Sequence, residues 1–399
     1  MKILFLTISY WPSQDGVSQV MQYLAEGLAK KHEVRVVAGL STFSRREEHN
    51  HVRIDRIKAA RNRYFCYFQG EKALVKNYIM EYQPDILAVV CVQSWGYDWF
   101  KRQLNSLPGK KVLLTHGASC LKEYNVWEQV KKIRPRRQII ADLVRVGNER
   151  YWKRYQKTLP ADIARFDLAA YLFENDILYQ YMCKSGLKNG MILENAVEDS
   201  FFERKAYLID STKELVFINV SNYEKRKDQA KILSAYAAAN LQGTRLVLIG
   251  SKENEYYREL VEKKQEIEKE TDFRGKIEIL AGISRNEVRE RYREADVYVS
   301  ASSWEAMSIS ICEAAAAGLL ILSTDTGHVS QIPGAQLFET QEELTQLMKR
   351  AYEEPDLRRE NGMLANAYAE EKYRTQKKVD LLEQKMLELT ITKDKRDIV

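Results

Sequence analysis

The sequence has few cysteines, and their arrangement does not indicate a disulfide framework or a zinc site. Its five cysteines are scattered and odd in number, and no two of them form a C-x-x-C pair. The sequence also lacks a run of about 18 apolar residues, the length that a membrane-spanning helix needs. We therefore expect a cytoplasmic chain that does not cross a membrane.

A strong excess of one charge is missing as well. The formal net charge is +6 over 399 residues, of which 45% are hydrophobic and 30% charged. This composition is typical of a soluble globular enzyme and excludes a disordered chain. The mild positive excess fits acidic small ligands or an anionic membrane surface, and we expect no nucleic acid partner. The opening MKILFLTI has too short an apolar core for a signal peptide and favours a buried first strand.

Short apolar strands alternate with helical patterns, and this alternation starts twice along the chain. The first series opens with KILFLTI, a helix over Val17–Lys30 and EVRVVAG, and the second opens near residue 215 with ELVFINV. Such runs are typical of parallel sheets that are buried on both faces. The sequence predicts two doubly wound α/β domains that meet at an irregular stretch, residues 193–210. Because no G-x-G-x-x-G follows either first strand, an NAD-linked oxidoreductase is disfavoured.

One apolar stretch, SSWEAMSISICEAAAAG, carries two carboxylates with seven residues between them. A helix is predicted over Cys312–Ala317, and Ser308 or Ser310 is a suitable N-cap. Glu305 then lies in the loop before the helix, and Glu313 lies one turn into it. The free amide groups at a helix start favour an anion. The pattern predicts a ligand that combines an anion with hydroxyl groups.

This stretch closely resembles the donor-site signature of retaining family-4 glycosyltransferases of GT-B fold, the glycosyl transferases group 1. The matching features are Glu305, Glu313, Gly318, the strand LLILST and the turn at Gly327. The resemblance implies that Glu313 binds the donor ribose and that Glu305 contacts hydroxyl groups of the transferred sugar. It also implies that the diphosphate is bound by a run of backbone amides, those of Met307, Ser308, Ile309 and Ser310.

The resemblance covers nearly the whole chain and implies its architecture. Two Rossmann-like domains are expected to face a cleft, an acceptor-side domain over residues 1–200 and a donor domain over 201–374. A C-terminal helix, about residues 375–399, is expected to return to the first domain. Further matches are Gly16 in the turn before the first helix, His116 at a strand end near the transfer site, Asn195, and Ile283 in a loop that reads the nucleotide.

One departure from the family pattern concerns the diphosphate site. The family commonly has Arg and, five positions later, Lys after the first strand of the second domain. Here Lys227 stands at the Lys position, whereas Asn222 replaces the Arg. Because Asn cannot bind phosphate as an Arg fork does, Arg226 or Lys225 is expected to supply the missing charge. The alternative is that this basic cluster is only an exposed helix start.

The implied activity moves a sugar from a nucleotide-diphosphate sugar to an acceptor hydroxyl, with retention of configuration and without a metal. His116, Glu305 and Lys227 are the expected catalytic residues, and the donor is the only cofactor-like molecule implied. The expected acceptor is a saccharide or lipid-linked saccharide of bacterial cell-surface polysaccharide synthesis. Two alternatives remain, a sugar-nucleotide epimerase or phosphorylase of the same fold and a non-catalytic basic scaffold at a membrane surface.

Residues 124–157 do not follow the α/β alternation. They are basic and contain Trp127 and Trp152 among aliphatic residues, and Pro135 interrupts them. They form either a helical insertion with solvated basic faces or an element that meets anionic lipid headgroups. The second alternative would place the protein peripherally at the inner face of the plasma membrane.

Overall fold

The structure, a computed structural model, describes residues 1–39, 45–62, 64–121, 123–131, 139–203 and 214–394. The chain divides into two compact units. Unit 1 comprises Met1–Glu194 and Lys378–Val399, and unit 2 comprises Asn195–Lys377. Each unit is built on a mainly parallel sheet with helices between its strands, which confirms the predicted α/β class with two Rossmann-like halves.

Among its described residues, unit 1 has ten strands. In chain order they are β1 (Lys2–Thr7), β2 (Glu33–Gly39), β3 (Arg46–His49), β4 (Val52–Ile57), β5 (Ala59–Arg61), β6 (Phe68–Gly70), β7 (Ile86–Val90), β8 (Lys110–Leu114), β9 (Leu168–Tyr171) and β10 (Gly190–Ile192). Eight of these described strands form one sheet in the order β10-β9-β8-β7-β1-β2-β4-β3, and β5 pairs with β6 in a separate hairpin. The sheet is parallel except for β3, which runs antiparallel to β4 at the edge.

Helices connect these strands. They are α1 (Gly16–Ala29), α2 (Lys72–Tyr82), α3 (Trp95–Phe100), α4 (Val126–Lys131), α5 (Ile139–Ile163), α6 (Ile177–Lys184) and, from the end of the chain, α13 (Thr375–Asp394), with a 3-10 turn at Leu104–Ser106. The first helix shows how the sequence sets its bounds. Asp15 is the N-cap, since its carboxylate accepts the amide of Ser18 at 3.0 Å, and the apolar residues of α1 recur on one buried face.

Most of α13 packs on unit 1 although it follows unit 2 in the sequence. Its apolar side chains Val379, Leu382 and Met386 are buried. Val379 lies against α1 at Gly27, where a Cβ atom, if the glycine had one, would come within 2.4 Å of the valine side chain. Lys378 bonds Glu194 at 2.6 Å, and both side chains are largely buried. The C-terminal helix therefore completes the core of unit 1.

Unit 2 has six strands among its described residues. They are β11 (Leu215–Val220), β12 (Thr244–Gly250), β13 (Lys276–Ala281), β14 (Val297–Ser300), β15 (Leu320–Ser323) and β16 (Gln336–Leu337). All are parallel, in the order β13-β12-β11-β14-β15-β16. Counted within the unit this is 3-2-1-4-5-6, the order of dinucleotide-binding Rossmann domains.

The helices of unit 2 fill the connections. They are α7 (Gln229–Ala239), α8 (Glu255–Glu268), α9 (Arg285–Glu294), α10 (Ile309–Ala316), α11 (Gln341–Glu353) and α12 (Pro355–Lys372), with 3-10 turns at Asp199–Phe201, Lys225–Lys227 and Val329–Gln331. The predicted helix over Cys312–Ala317 begins three residues earlier, at Ile309, because Ser308 and not Ser310 takes the N-cap position. Residues 204–213, which include the end of the predicted interdomain stretch, lie outside the described residues.

Candidate donor-binding site

The strand order of unit 2 creates a switch point between two neighbouring strands. β11 and β14 pair in parallel, with Phe217 opposite Val297, while their connections lead to opposite sides of the sheet. In open α/β sheets, ligands bind outside the carboxyl ends of the strands at such a point. Residues 221–228 follow β11 and residues 301–308 follow β14, and these two loops carry most of the predicted donor site.

Two cations of the first loop meet one carboxylate of the second. Lys227 ends a 3-10 turn and is 8% exposed, and its ammonium group forms an ion pair and hydrogen bond with the Glu305 carboxylate. The Arg226 guanidinium lies 3.7 Å from the other oxygen of Glu305 and donates to the carbonyl of Trp304 at 3.2 Å. Glu305 therefore lies between two positive charges that are adjacent in the sequence.

Asn222, which stands where the family has Arg, is exposed at the start of the first loop. Its carbonyl accepts a hydrogen bond of 3.0 Å from the Gln229 side chain, which fixes the backbone of the loop. The positive charge next to Lys227 comes instead from Arg226, whereas Lys225 pairs with Glu259. Of the two substitutes that the sequence suggested, the structure places Arg226 at Glu305.

Several hydrogen bonds from neighbouring elements hold the start of α10. Asn195 donates to the carbonyl of Met307 at 3.0 Å, and Tyr298 donates to the hydroxyl of Ser310 at 2.9 Å. The Ser308 and Ser310 hydroxyl groups are 3.0 Å apart, and Ser308 makes no side-chain cap. Because the first amides of a helix have no acceptor within it, those that begin at Ile309 are available to an anion.

Glu313 lies one turn into α10 and is 2% exposed. Its carboxylate forms an ion pair with Arg285, the first residue of α9, whose guanidinium also stacks 4.6 Å from the Phe201 ring. Arg285 was not predicted from the sequence. The Ser284–Glu287 capping box places it in the first turn of α9, but only the adjacency of α9 and α10 brings it to Glu313. The Arg285 guanidinium offsets the cost of burying this carboxylate, whose oxygens can accept hydrogen bonds from hydroxyl groups.

The turn after β15 approaches the Glu305 loop closely. Gly327 has a φ of +62°, and a Cβ atom added there would lie 2.5 Å from the carbonyl oxygen of Ala306. A residue with a side chain would be strained in this conformation and would push against the loop. The glycine of the sequence motif therefore allows the two loops to pack.

His328, next in the chain, is buried beneath the same site. Its Nε2 atom lies 3.6 Å from the Cys312 sulfur in α10. Burial lowers the pKa of His328 to about 3, since a charged imidazole would lose its hydration there. The side chain is therefore neutral at ordinary pH and packs below α10.

The remaining predicted residues have the following places. Ile283 is half-buried in the loop before α9 in unit 2. In unit 1, His116 follows β8 by two residues with a φ of +47°. Gly16 is the first residue of α1, next to Asp15, whose carboxylate accepts hydrogen bonds of 2.7 Å from Ser9 and Ser13.

Within the residues that the structure describes, no group of three or more His, Cys, Asp or Glu side chains is arranged to hold a metal ion. Within the same residues, no helix is long and apolar enough to cross a membrane.

The chain has two Rossmann-like halves, which is the architecture of the GT-B type. The switch point of the second half brings together two cations, two carboxylates and a helix start. Comparison with known proteins agrees. Residues 199–363 match the sequence profile of the family described as Glycosyl transferases group 1. A sequence comparison with curated proteins gave no significant match.

Solved structures share the fold over almost the whole chain. Sucrose-phosphate synthase from Thermosynechococcus elongatus has a TM-score of 0.74 at 15% identity, over 98% of this chain and 100% of its own. HepE from Anabaena, in complex with UDP and glucose, has a TM-score of 0.68 at 14% identity, over 97% of this chain and 99% of its own. The UDP-forming trehalose-phosphate synthase from Burkholderia xenovorans has a TM-score of 0.68 at 10% identity, over 97% of this chain and 100% of its own. The profile match and the fold together support a GT-B glycosyltransferase.

Proposed function

We propose that this protein transfers a sugar from a nucleotide-diphosphate sugar to an acceptor hydroxyl, with retention of configuration. The proposal rests mainly on the ion pairs of Lys227 and Arg226 with Glu305, which lie at the switch point of unit 2 beside the start of α10. A sugar diphosphate needs cations and amides for its phosphates and carboxylates for its hydroxyl groups. Because the HepE structure is a complex with UDP and glucose, UDP is the first nucleotide to test.

The contacts of these residues indicate how each one would act on the donor. A diphosphate can replace Glu305 as the partner of Lys227, which frees the Glu305 carboxylate for hydroxyl groups of the sugar. Arg226 and the amides from Ile309 onward would then stabilise the charge that develops on the leaving diphosphate. Glu313, held by Arg285, would accept the ribose hydroxyl groups. His116 is proposed as the acceptor-side residue near the reacting carbon.

The test is a panel of nucleotide sugars scored for slow release of nucleoside diphosphate, together with protection from heat by the free nucleotides. We expect at least one nucleoside diphosphate at millimolar concentration to raise the melting temperature and the corresponding sugar nucleotide to be hydrolysed. The products of donor alone also distinguish transfer from epimerisation, since an epimerase would convert the donor without acceptor. A panel without protection and without turnover would refute the proposed function.

We propose further that the reaction needs no divalent cation, because Lys227 and Arg226 already provide two positive charges for the diphosphate. Removal of metals with EDTA is expected to leave the initial rate of nucleotide release within about twofold, a difference well under 1 kcal/mol in activation free energy. A rate that falls tenfold with EDTA and returns with Mg²⁺ or Mn²⁺ would show that a metal shares the task.

Residues 124–157 provide the proposed membrane contact at the inner face of the plasma membrane. They hold ten basic and three acidic residues, a net charge of +7 in a chain of +6. Trp127 and Ile140 are 76% and 74% exposed. Trp152, in contrast, packs against Tyr155, with ring centroids 5.2 Å apart, and lies beside Arg61. Residues 132–138, including Pro135, lie outside the described residues.

This contact is tested by sedimentation with vesicles. The protein should bind phosphatidylglycerol vesicles and not phosphatidylcholine vesicles, and binding should fall steeply as salt rises. Trp127→Ala should weaken binding, whereas replacement of the packed Trp152 by Phe should not. Absence of binding to phosphatidylglycerol vesicles would leave the stretch as a solvated helical insertion.

A further inference from the structure

Unit 1 contains a cavity of about 690 Å³ that is lined by none of the predicted catalytic or donor-binding residues. It is formed by the loop after β8, the second half of α5 and α6, and its lining includes Leu121, Gln156 and Tyr181. The volume is within the range of small-molecule sites, about 300–1,000 Å³. A cavity of this size has room for a saccharide of one or two rings.

The topology of unit 1 places the cavity at the edge of the sheet where the parallel strands have their carboxyl ends. β8 and β9 are parallel neighbours, with Val112 opposite Leu168. The loop that follows β8 contains His116 and continues to Leu121, and α6 follows β9. Both wall segments therefore leave the carboxyl ends of adjacent strands, which is where open α/β sheets bind ligands. The cavity and His116 belong to the same edge of the sheet.

The side chains of the lining combine apolar surface with neutral hydrogen-bonding groups. Tyr124, Tyr181 and Ile177 provide rings and an aliphatic side chain, and Ile177 is 60% exposed although it begins α6. Asn125 and Gln156 provide amides, each with donors and an acceptor. Rings that contact the C–H face of a sugar, with amides for its hydroxyl groups, are suited to a carbohydrate.

The charges of the lining identify the kind of carbohydrate. Lys153 and Glu123 are both in the lining, and their opposite charges cancel. A site for phosphate or for an acidic sugar would need an excess of cations. The Tyr124 phenol adds no charge, and burial raises its pKa further above the neutral range. The lining therefore favours a ligand that is uncharged and rich in hydroxyl groups.

We propose that this cavity binds the acceptor as a neutral saccharide. The proposal rests on the proposed transferase function and adds the chemical class of the acceptor and the residues that hold it. The saccharide could be free or carried on a lipid, since the same α5 that lines the cavity belongs to the basic stretch with exposed Ile140. Both sources share the sugar chemistry that the lining recognises.

The test is saturation-transfer NMR on the full-length protein with a panel of glucose, galactose, N-acetylglucosamine, maltose, cellobiose and lactose. We expect saturation of at least one sugar. Ile177→Trp, which fills the cavity from an exposed position, should abolish the signal. Gln156→Ala should raise the Kd about tenfold, as expected for the loss of one or two hydrogen bonds. Gln180→Ala, a change at an exposed glutamine of α6, should leave the Kd unchanged.

Octyl glucoside below its micelle concentration distinguishes the two sources. Tighter binding of octyl glucoside than of glucose would assign a lipid-linked acceptor, and equal binding would assign a free saccharide. Absence of any signal from the panel, or a signal that Ile177→Trp does not change, would overturn the cavity assignment. UDP protection of the same samples reports on unit 2 alone, so failure of the cavity and failure of the donor site give different results.

Discussion

At the scale of single residues, the donor site depends on a few charged contacts. Lys227→Ala removes the partner of Glu305, and Glu313→Ala removes the proposed ribose acceptor. We expect each variant to lower the rate of transfer tenfold or more, which corresponds to about 1.4 kcal/mol or more in activation free energy. Circular dichroism should show that both variants are folded, and nucleotide release measures the rate.

The chain provides a matched control for the lysine. Lys225 lies two residues away, is exposed and pairs with Glu259. Lys225→Ala should therefore keep the wild-type rate. Unchanged rates in Lys227→Ala and Glu313→Ala, or an equal loss in Lys225→Ala, would reject the assigned site.

His328 makes the stability of the protein depend on pH. Its pKa is about 3 in the folded chain and about 6.5 in an unfolded one. The unfolded chain therefore binds the extra proton between these values, and stability is full above pH 6.5 and falls as the pH drops towards 3. We expect His328 to contribute a loss of about 2 kcal/mol in the free energy of unfolding between pH 8 and pH 5.

Urea unfolding at these two pH values, on the wild type and on His328→Gln, measures this contribution. The variant should be less sensitive to pH by about that amount, whatever its stability at pH 8. An equal pH dependence in both proteins would show that His328 is already able to take a proton in the folded state.

The residues of the glutamate motif could be predicted from the sequence, whereas contacts between distant segments could not. Glu305 and Glu313 could be selected because they lie in one short stretch with a predicted helix start. Arg285 could not be selected, because 28 residues and a strand separate it from Glu313. The choice between Arg226 and Lys225 also needed the structure, since only the turn at residues 225–227 decides which side chain faces Glu305.

At the scale of elements, the two loops of the donor site pack through Gly327. Gly327→Ala should lower nucleotide protection and transfer, because the methyl group would displace the carbonyl of Ala306 and the Glu305 loop with it. We expect a loss of tenfold or more in transfer and a smaller melting-temperature increase with nucleotide.

Gly243→Ala is the matched control for this substitution. Gly243 also has a positive φ, +70°, but a Cβ atom there would meet no atom within 4 Å. It shares the backbone strain of about 1 kcal/mol without the contact. Equal loss of transfer in both variants would show that strain alone, and not the packing of the two loops, explains the effect of Gly327→Ala.

Most strands and helices were predictable because their patterns are local. EVRVVAG occupies β2 with its predicted bounds, and the helix predicted over Val17–Lys30 is α1, shifted by one residue. Near the C-terminus two helices follow one another, α12 and α13, and the second begins at Thr375. The break at residues 373–374 has no Pro or Gly, so nothing local in the sequence marks it. Instead, Val197 pairs with Arg374 in a bridge between distant segments.

At the scale of the whole molecule, unit 1 is assembled from two separate parts of the chain. Deletion of residues 378–399 would expose the surface that Val379, Leu382 and Met386 cover and leave Glu194 without Lys378. At about 1.5–3 kcal/mol for each buried apolar side chain, unit 1 should lose about 5 kcal/mol or more in stability.

Thermal unfolding of the truncated chain tests this prediction. The transition of unit 1 should move to lower temperature, while a nucleoside diphosphate should still protect unit 2, which keeps all of its residues. Gln384→Ala, a change on α13 outside its apolar face, serves as the control. A truncated chain that unfolds like the wild type would show that α13 adds little to unit 1.

The position of α13 in the sequence also has a consequence for folding during synthesis on the ribosome. Unit 2 lies between the two parts of unit 1 in the sequence. At about 5–20 residues per second, the newly made first part waits on the order of 10–40 s before its last helix emerges. During this interval an apolar face of the nascent chain stays open to chaperones, and unit 2, although made later, is the first unit whose residues are all present.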